Sequence, residues 1–156
     1  MESLEHDDSI IVRNLLPEDL DAVVRLDAKV TGRERGEYFK IKLDQNLAET
    51  GIKISLAAEC DGCFCGFLLG RVYYGEFGLP EPTAVLDTIG VDPGFRGKGA
   101  GTAMIQKLRM LLSGLGVGHL QTEVSWDSPE LLAFFHSQDF RPAQRFCLDL
   151  EVTPLP

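Results

Sequence analysis

The sequence predicts an α/β fold of the α+β type, in which helices flank a mixed, mainly antiparallel central sheet of six to seven strands. Three observations support this prediction. Segments in which apolar and polar residues alternate, as in strands, recur along the chain. Segments with apolar residues three and four positions apart, as in helices, separate some of these strands. Two successive strand-like segments, 52–59 and 63–74, join across Asp61-Gly62, which is a hairpin signal.

The predicted elements follow the order β-α-α-β-β-β-α-β-α-β. Alternation predicts strands at residues 10–13, 52–59, 63–74, 83–91 and 119–126, and a last strand or strand pair over 140–152. Helical spacing predicts helices from Pro17, over 38–47, over 102–115, and from Ser128 to about Gln138. Pro17 and Ser128-Pro129 are helix starts because proline suits the first helical position and serine suits the cap before it.

Length and charge restrict the kind of protein this is. The chain has 156 residues, and we predict a disordered tail over residues 1–8 and a single domain over 9–156. It carries 24 acidic and 15 basic residues, a net charge of −9, which disfavours nucleic-acid partners. We find neither a membrane-spanning apolar run nor a signal peptide, so we expect a cytoplasmic protein with no membrane partner. The oligomeric state stays open, and a homodimer is one option.

Three of the four cysteines lie close together in the sequence. Cys60, Cys63 and Cys65 surround the Asp61-Gly62 turn, and Cys-x-x-Cys spacing is compatible with zinc or redox chemistry. No second Cys/His pair with metal-ligand spacing follows, so we predict no metal site. We interpret these cysteines as small apolar strand residues, with Cys63, Cys65, Phe67 and Leu69 on one face of a strand.

A glycine-rich loop lies between a strand and a helix in the middle of the chain. Asp92-Pro93-Gly94 ends the strand, and the loop follows as Arg96-Gly97-Lys98-Gly99-Ala100-Gly101. Backbone N–H groups without side chains beside them, two cations and a helix N-terminus together favour phosphate binding. The loop is not a P-loop, which needs Gly-Lys-Ser/Thr, and Thr102 stands where a dinucleotide fingerprint needs glycine. A glycine-rich connection without a ligand is the alternative.

The pattern Arg-x-x-Gly-x-Gly, with Val-Asp-Pro just upstream, resembles the acyl-CoA pyrophosphate loop of the Gcn5-related N-acetyltransferases. The order of elements is also similar to that family, so the resemblance covers nearly the whole chain. It implies the acyl-CoA N-acyltransferase fold and direct transfer of an acetyl group from acetyl-CoA to a primary amine of a small molecule or peptide. The residues that it assigns to the cofactor are Ile89, Gly90, Val91, Arg96, Gly97, Lys98, Gly99, Ala100, Gly101, Thr102, Ser128 and Phe135.

The resemblance also implies roles in catalysis. The Val91 N–H is predicted to polarise the acetyl carbonyl and hold the developing oxyanion. Glu123 matches a strand glutamate that acts as base in the ribosomal-protein alanine acetyltransferases, and Asp87 is a second candidate; either residue can instead be a structural carboxylate. Phe135 stands where many members have a tyrosine that protonates the departing thiolate, which phenylalanine cannot do. The alternative function is therefore an acyl-CoA-binding sensor or interaction module that transfers weakly or not at all.

The amine acceptor is expected to contact the charged loop at residues 31–36 and the helix that follows it. Five residues are predicted to line this site: Arg33, Arg35, Tyr38, Tyr73 and Tyr74. The two arginines can bind a carboxylate of the acceptor, although a solvated charged loop is the alternative. The identity of the acceptor stays open.

Overall fold

The computed structural model describes residues 10–47 and 53–154. The predicted tail over 1–8 and residue Ile52 of the predicted strand lie outside these ranges. The strands are β1 (Ile10–Asn14), β2 (Leu56–Cys60), β3 (Cys63–Tyr74), β4 (Pro82–Val91) and β5 (Leu120–Gln121). The helices are α1 (Leu20–Thr31), α2 (Gly36–Asn46), α3 (Ala100–Gly114) and α4 (Pro129–Ser137). Short 3-10 turns lie at Pro17–Asp19, Glu76–Gly78 and Pro93–Phe95.

The five strands form one mixed sheet in the order β1-β2-β3-β4-β5. The first four pair antiparallel, and β4 pairs with β5 in parallel, which confirms the predicted mixed and mainly antiparallel sheet. The prediction of six to seven strands is wrong for the part of the chain that the structure describes. The predicted strand over 119–126 is reduced to two residues, and 140–152 forms no strand despite its alternation. Alternation predicts an apolar face, but a strand also needs a neighbouring strand that pairs with its backbone.

Helices cover both faces of the sheet in residues 10–123. One face carries a core of Val23 and Leu26 from α1, Phe39 and Leu43 from α2, and Phe67 from β3. The other face meets α3, because a side chain at the position of Gly66 would lie 3.0 Å from the Met104 methyl carbon. Gly66 and Phe67 are neighbours in β3, and successive strand residues point to opposite faces.

The helical spacing of Met104, Leu108, Leu111, Leu112 and Leu115 predicts a buried stripe, which α3 buries for most of its length. Met104, Leu108 and Leu112 are buried together with Ile105. Leu115 is half exposed because the helix ends at Gly114 and the chain turns through Gly116, whose φ is +73°. A glycine in the left-handed region after a helix is an ordinary C-terminal cap.

The chain divides after Glu123 into two compact units. The second unit contains α4, in which Phe135 is buried and its ring centroid lies 5.4 Å from that of Phe134 and 4.9 Å from that of Phe140. The single domain predicted over 9–156 stays a prediction. In the described ranges, no helix has the length and apolar character needed to cross a membrane. Over the same residues, no group of His, Cys, Asp and Glu has the arrangement of a metal site.

Close packing requires the absence of a side chain at Gly90. A Cβ atom there would lie 2.8 Å from Phe67 Cε1 and 3.2 Å from Leu26 Cδ2, inside the core between the sheet and α1. We therefore expect Gly90→Ala to lower the free energy of unfolding by about 1–3 kcal/mol through overpacking. Urea unfolding measures this loss. The matched control is Gly118→Ala, where a Cβ meets no described atom within 4 Å; equal midpoints for the two variants would contradict the prediction.

Candidate active site

The second half of β4 is paired with β3 but not with β5. β5 pairs with β4 at Ala84 and Val85, and the Thr122 hydroxyl donates a hydrogen bond to the Leu86 carbonyl at 2.8 Å. β3, in contrast, pairs with β4 as far as Val91. We call the β5-facing edge of residues 87–91 the open edge of β4, because β5 has no residue that pairs with it in the described chain.

The direction of each backbone amide in this half of β4 follows from the pairing. N–H groups of successive strand residues point to opposite edges. The Asp92 N–H donates to the Cys65 carbonyl of β3 at 2.8 Å. Alternation back from Asp92 therefore directs the N–H groups of Val91 and Ile89 to the open edge, and that of Gly90 to β3. Ile89 and Val91 are thus placed to meet a ligand through their amides, whereas Gly90 makes room for the core beneath.

A bulge in β4 lies where the open edge begins. Leu69 pairs with Thr88 and Gly70 pairs with Leu86, so Asp87 is an extra residue in β4 without a partner in β3. Its carboxylate forms an ion pair with Lys42 of α2 at 3.5 Å. A bulge bends a strand and re-aims its side chains. The bulge therefore places a carboxylate on the α2 side of the strand, next to the open edge.

The two candidate bases follow the last bond between β4 and the chain after β5. That bond joins Thr122 to Leu86, and Glu123 and Asp87 are the next residues of the two segments. The Glu123 side chain is exposed and lies beyond the end of β5. The structure thus brings both candidates to the place where the two segments stop bonding to each other. The role of each as base stays a prediction.

The turn after β4 is held by a buried carboxylate. Asp92 accepts hydrogen bonds from the Gly94 N–H and from Lys29 Nζ of α1, both at 2.9 Å. The Gly94 amide, and then the Lys29 ammonium, lower the pKa of Asp92 below its ordinary value. Asp92 is 8% exposed, whereas the side chain of Lys29 is 61% exposed. This pair ties the start of the glycine loop to the end of α1, and the sequence pattern gave no sign of it.

The glycine loop comprises residues 96–99, because Ala100 and Gly101, which the sequence analysis places before a helix that begins at 102, form the first turn of α3. Gly97 and Gly99 have φ of +80° and +87°, in the left-handed region that favours glycine. A Cβ at Gly97 would meet no described atom within 4 Å, and at Gly99 only Ile10 Cδ1 at 3.9 Å. Helix α3 begins directly after Gly99, and its first N–H groups have no carbonyl partner inside the helix.

Charged and small side chains divide between the two sides of this loop. Arg96 and Lys98 are exposed, and Lys98 Nζ lies 5.8 Å from the ring centroid of Phe95. Ala100 and Gly101 are buried at the start of α3. A helix N-terminus with two exposed cations beside it can hold an anion such as a pyrophosphate.

The loop between α1 and α2 is organised by an ion pair that the sequence analysis missed. Arg35 donates to both carboxylate oxygens of the buried Asp27, at 2.9 and 2.6 Å. These bonds raise the pKa of Arg35. The guanidinium carbon also lies 5.1 Å from the ring centroid of Tyr38 and 5.3 Å from that of Phe39. Asp27 stands four residues after Val23 on the buried stripe of α1, and a carboxylate there needs a partner, so this was the available signal.

The predicted acceptor residues fall in two places. Arg33 lies on the loop before α2 and Tyr38 lies in the first turn of α2, and both side chains are exposed. Tyr73 and Tyr74 instead pair with Thr83 and Pro82 at the other end of β4. Thr83 lies four positions before Asp87, where the open edge begins, and eight before Val91, which correspond to about 13 and about 26 Å of extended strand. The Tyr73 hydroxyl donates to Gln121 Oε1 at 3.1 Å, so Tyr73 lies beside the paired half of β4, and the contact of both tyrosines with the acceptor stays a prediction.

Two predicted cofactor residues lie in the second unit. Ser128 precedes α4, and its side chain makes no capping hydrogen bond to the helix. Phe135 is 2% exposed within its cluster of phenylalanines. The phenyl ring of Phe135 has no group that can donate a proton.

Comparison with known proteins gives a consistent result. The family model described as acetyltransferase (GNAT) family matches residues 20–140. The chain is similar to L-2,4-diaminobutyric acid acetyltransferase of Nocardia farcinica, with 38% identity over 83 residues, which are 52% of this chain and 40% of that protein. The match therefore spans less than half the length of that relative.

Solved structures share the fold. An aminoglycoside N-acetyltransferase in complex with CoA has a TM-score of 0.78 at 16% identity, covering 96% of this chain and 99% of that chain. A ribosomal-protein-alanine N-acetyltransferase from Brucella melitensis has a TM-score of 0.73 at 20% identity, covering 92% of this chain and 99% of that chain. At these identities the likeness shows the fold alone.

The low pKa of Asp92 makes stability depend on pH. A carboxyl whose pKa is lower in the folded than in the unfolded chain stabilises the fold above its unfolded pKa of about 4, and this contribution is lost as the pH falls. We expect Asp92→Asn to lower the free energy of unfolding at neutral pH by about 1 kcal/mol. The difference from the unchanged protein should shrink as the pH falls below about 4.

Urea unfolding at a series of pH values, from neutral to below about 4, measures this difference in the free energy of unfolding. Asp44→Asn, at an exposed aspartate of α2, is the control, and we expect it to change stability little at any pH. A deficit of Asp92→Asn that stays constant with pH would mean that packing, and not charge, is responsible.

Proposed function

This chain belongs to the acetyltransferase (GNAT) family, and on that premise we propose that it transfers an acetyl group from acetyl-CoA to a primary amine. One observation carries the proposal. The open edge of β4 leads through the turn at residues 92–95 into the glycine loop and the start of α3. A strand edge with outward N–H groups followed by an anion-binding loop fits a ligand that has an amide-containing arm at one end and a pyrophosphate at the other.

The glycine loop is the proposed pyrophosphate site. Its N–H groups around Gly97 and Gly99, together with those of the first residues of α3 as far as Thr102, supply hydrogen bonds to phosphate oxygens. Arg96 and Lys98 supply positive charge in a chain whose net charge is −9. The absence of side chains at the two glycines lets phosphate oxygens approach the backbone.

The open edge is the proposed site for the pantetheine arm and the thioester. The Ile89 and Val91 N–H groups point to this edge, and we assign the Val91 N–H to the thioester carbonyl. A fixed N–H donor at the oxygen that becomes negative in the transition state lowers the barrier to acyl transfer. Ser128 and Phe135 remain proposed contacts of the arm, on the basis of the family resemblance.

The chemistry requires a neutral amine beside the thioester. Glu123 or Asp87 takes a proton from the ammonium group, directly or through a water. The amine nitrogen then attacks the thioester carbonyl, the carbon–sulfur bond breaks, and CoA leaves as the thiolate. A thiol with a pKa of about 8.5 can leave without an acid, so the phenylalanine at 135 is compatible with turnover. The thiolate takes its proton from solvent.

We propose a small polycationic amine as the acceptor class. The relatives described above are named for diaminobutyric acid and aminoglycosides as substrates, which carry several amines. The net charge of −9 favours the approach of cations. Tyr38 is an exposed candidate for contact with the acceptor, and Arg33 suits an acceptor that also carries a carboxylate, as diaminobutyric acid does, whereas Arg35 is held by Asp27 and shapes the loop. A peptide N-terminus is the second acceptor to be screened, and a cytoplasmic location is expected for either.

Binding of acetyl-CoA is tested by thermal unfolding. At a hundredfold excess over Kd, acetyl-CoA should stabilise the protein by about 2.7 kcal/mol, a shift in Tm of several degrees. Gly99→Glu places a carboxylate in the pyrophosphate site and should abolish the shift. Gly116→Glu is the matched control, because its φ is +73° and it lies after the other end of α3.

The control should unfold earlier but keep the shift with acetyl-CoA. Free CoA should compete for the site, and ATP should not. If millimolar acetyl-CoA does not change the Tm of the wild-type protein, the assignment of the loop is refuted. It is also refuted if the Gly99→Glu variant keeps the Tm shift.

The base is tested by turnover. Release of the CoA thiol is measured against a panel of diamines, L-2,4-diaminobutyrate, aminoglycosides and a peptide with a free N-terminus. With an accepted amine, we expect Glu123→Gln or Asp87→Asn to lower kcat/KM at neutral pH by about 10²-fold, and the defect should diminish at high pH where the amine is already neutral. Glu81→Gln, at an exposed acid before β4, is the control. Tight binding of acetyl-CoA without turnover of any amine would support the alternative of an acyl-CoA-binding module.

A further inference from the structure

Three cysteine thiols gather at the β2–β3 hairpin, away from any role in the proposed reaction. Cys60 Sγ and Cys65 Sγ lie 2.7 Å apart, closer than the about 3.5–4.0 Å of ordinary non-bonded contacts. Both side chains are buried, Cys60 at 3% and Cys65 at 0% exposure. Cys63, which pairs directly with Cys60 across the hairpin, is exposed. The Cys63 thiol, which is accessible to solvent, therefore lies next to two buried thiols, those of Cys60 and Cys65, that contact each other.

A β-bulge brings the two buried thiols together. Ala58 pairs with Gly66 and Glu59 pairs with Phe64, so Cys65 is an extra residue in β3. Phe64 and Phe67 both pack on the α1–α2 core, although they are three residues apart, which regular alternation does not allow. The bulge turns the Cys65 side chain to Cys60, so the predicted alignment of Cys65 with Phe67 and Leu69 on one strand face is wrong.

We propose that Cys60 and Cys65 form a reversible intrachain disulfide, for which a small-molecule disulfide of the glutathione type is the oxidant. Two thiols whose sulfur atoms already touch need little backbone movement to bond, and their high effective concentration favours the disulfide. The proposal concerns these thiols alone and holds whether or not the protein is an acetyltransferase.

Cys63 is the entry point for the oxidant. Its thiolate attacks the oxidised glutathione, forms a mixed disulfide and releases one reduced glutathione. Cys60 then attacks the Cys63 sulfur and releases the second glutathione, and Cys65 attacks the Cys60 sulfur, so that the Cys63 thiol is restored. The net change is the oxidation of two protein thiols and the reduction of one glutathione disulfide to two glutathiones.

Burial explains why the pair needs this relay. Burial, and then the hydrogen bond with Cys60, raise the pKa of the Cys65 thiol to about 12. A buried thiol that stays protonated reacts slowly with an external disulfide. In the last step the Cys65 proton passes to the departing Cys63 sulfur. The carbonyl of Cys65 accepts the Asp92 N–H, so the proposed bond also lies beside the turn that precedes the glycine loop.

The experiment is a redox titration in glutathione buffers, followed by acid quenching, alkylation and intact mass measurement. All variants carry Cys147→Ser, which removes the fourth cysteine. Pairwise variants are needed because no lysine or arginine lies between Lys53 and Arg71, so trypsin leaves all three cysteines in one peptide. Cys63→Ser leaves the proposed pair, Cys65→Ser leaves the cross-strand pair Cys60 and Cys63, and Cys60→Ser leaves Cys63 and Cys65.

We expect the Cys63→Ser protein to lose both free thiols and the mass of two hydrogens on oxidation, without forming a disulfide between two chains. Its equilibrium constant for oxidation should exceed that of the other two variants at least tenfold, which corresponds to about 30 mV. Its Tm should rise by a few degrees on oxidation, because the bond restricts the unfolded chain. Oxidation of the protein that retains all three thiols should be at least tenfold faster than that of Cys63→Ser, with the same bond formed.

Two results would overturn the proposal. If Cys65→Ser oxidises as favourably as Cys63→Ser, the stable bond joins the cross-strand pair and not the buried thiols. If Cys63→Ser yields only glutathione adducts or unreacted thiols at every ratio, the buried pair does not form a disulfide. Equal oxidation rates with and without Cys63 would remove its role as the entry point.

Discussion

Pairing of the second half of β4 on one edge only is the constraint on which the rest of the candidate site depends. β3 holds this strand as far as Val91, while β5 leaves it after Val85. An N–H group that is fixed in direction but not used by a neighbouring strand is a binding group that costs no reorganisation when a ligand arrives. The same strand then turns at Asp92 and leads into α3, so one continuous piece of backbone carries both parts of the proposed acetyl-CoA site.

The two bulges in the central strands have separate consequences. The extra residue in β4 is Asp87, and it sets a carboxylate next to Lys42 where the open edge begins. The extra residue in β3 is Cys65, and it sets a thiol against Cys60. Each bulge turns one polar or reactive side chain out of the regular alternation. In both cases the chemistry at the site depends on a local irregularity in a strand that is otherwise fully paired to its neighbour.

Local ion pairs organise the loops around this sheet although the chain as a whole is acidic. Lys29 at the end of α1 binds Asp92, and Arg35 before α2 binds the buried Asp27. These pairs join segments that the sequence separates by loops, and they do so at partly buried positions where charge interactions are screened less than on the surface. Carboxylates therefore engage Lys29 and Arg35, whereas the exposed cations Arg33, Arg96 and Lys98 are the candidates for ligand contact.

The sequence by itself determined the parts of the fold that local chemistry encodes. Alternation identified β1 to β4, the spacing of Met104 and Leu108 identified the buried side of α3, and the glycines at 97 and 99 identified the loop, where the structure gives both the positive φ that favours glycine. These features depend on period, on backbone freedom and on which side chains avoid water. Each is a property of residues close together in the chain.

Beyond the β2–β3 hairpin, only the tertiary structure decided which strands pair and over how many residues. The alternation over 140–152 produced no strand, because pairing depends on a neighbour that the local pattern does not specify. The bulges at Asp87 and Cys65 were equally invisible, since a bulge is a mismatch of register between two strands and not a property of either one. The early separation of β5 from β4 likewise depends on two strands that are distant in the sequence. This separation leaves the second half of β4 unpaired on one edge, and that edge is the candidate binding site.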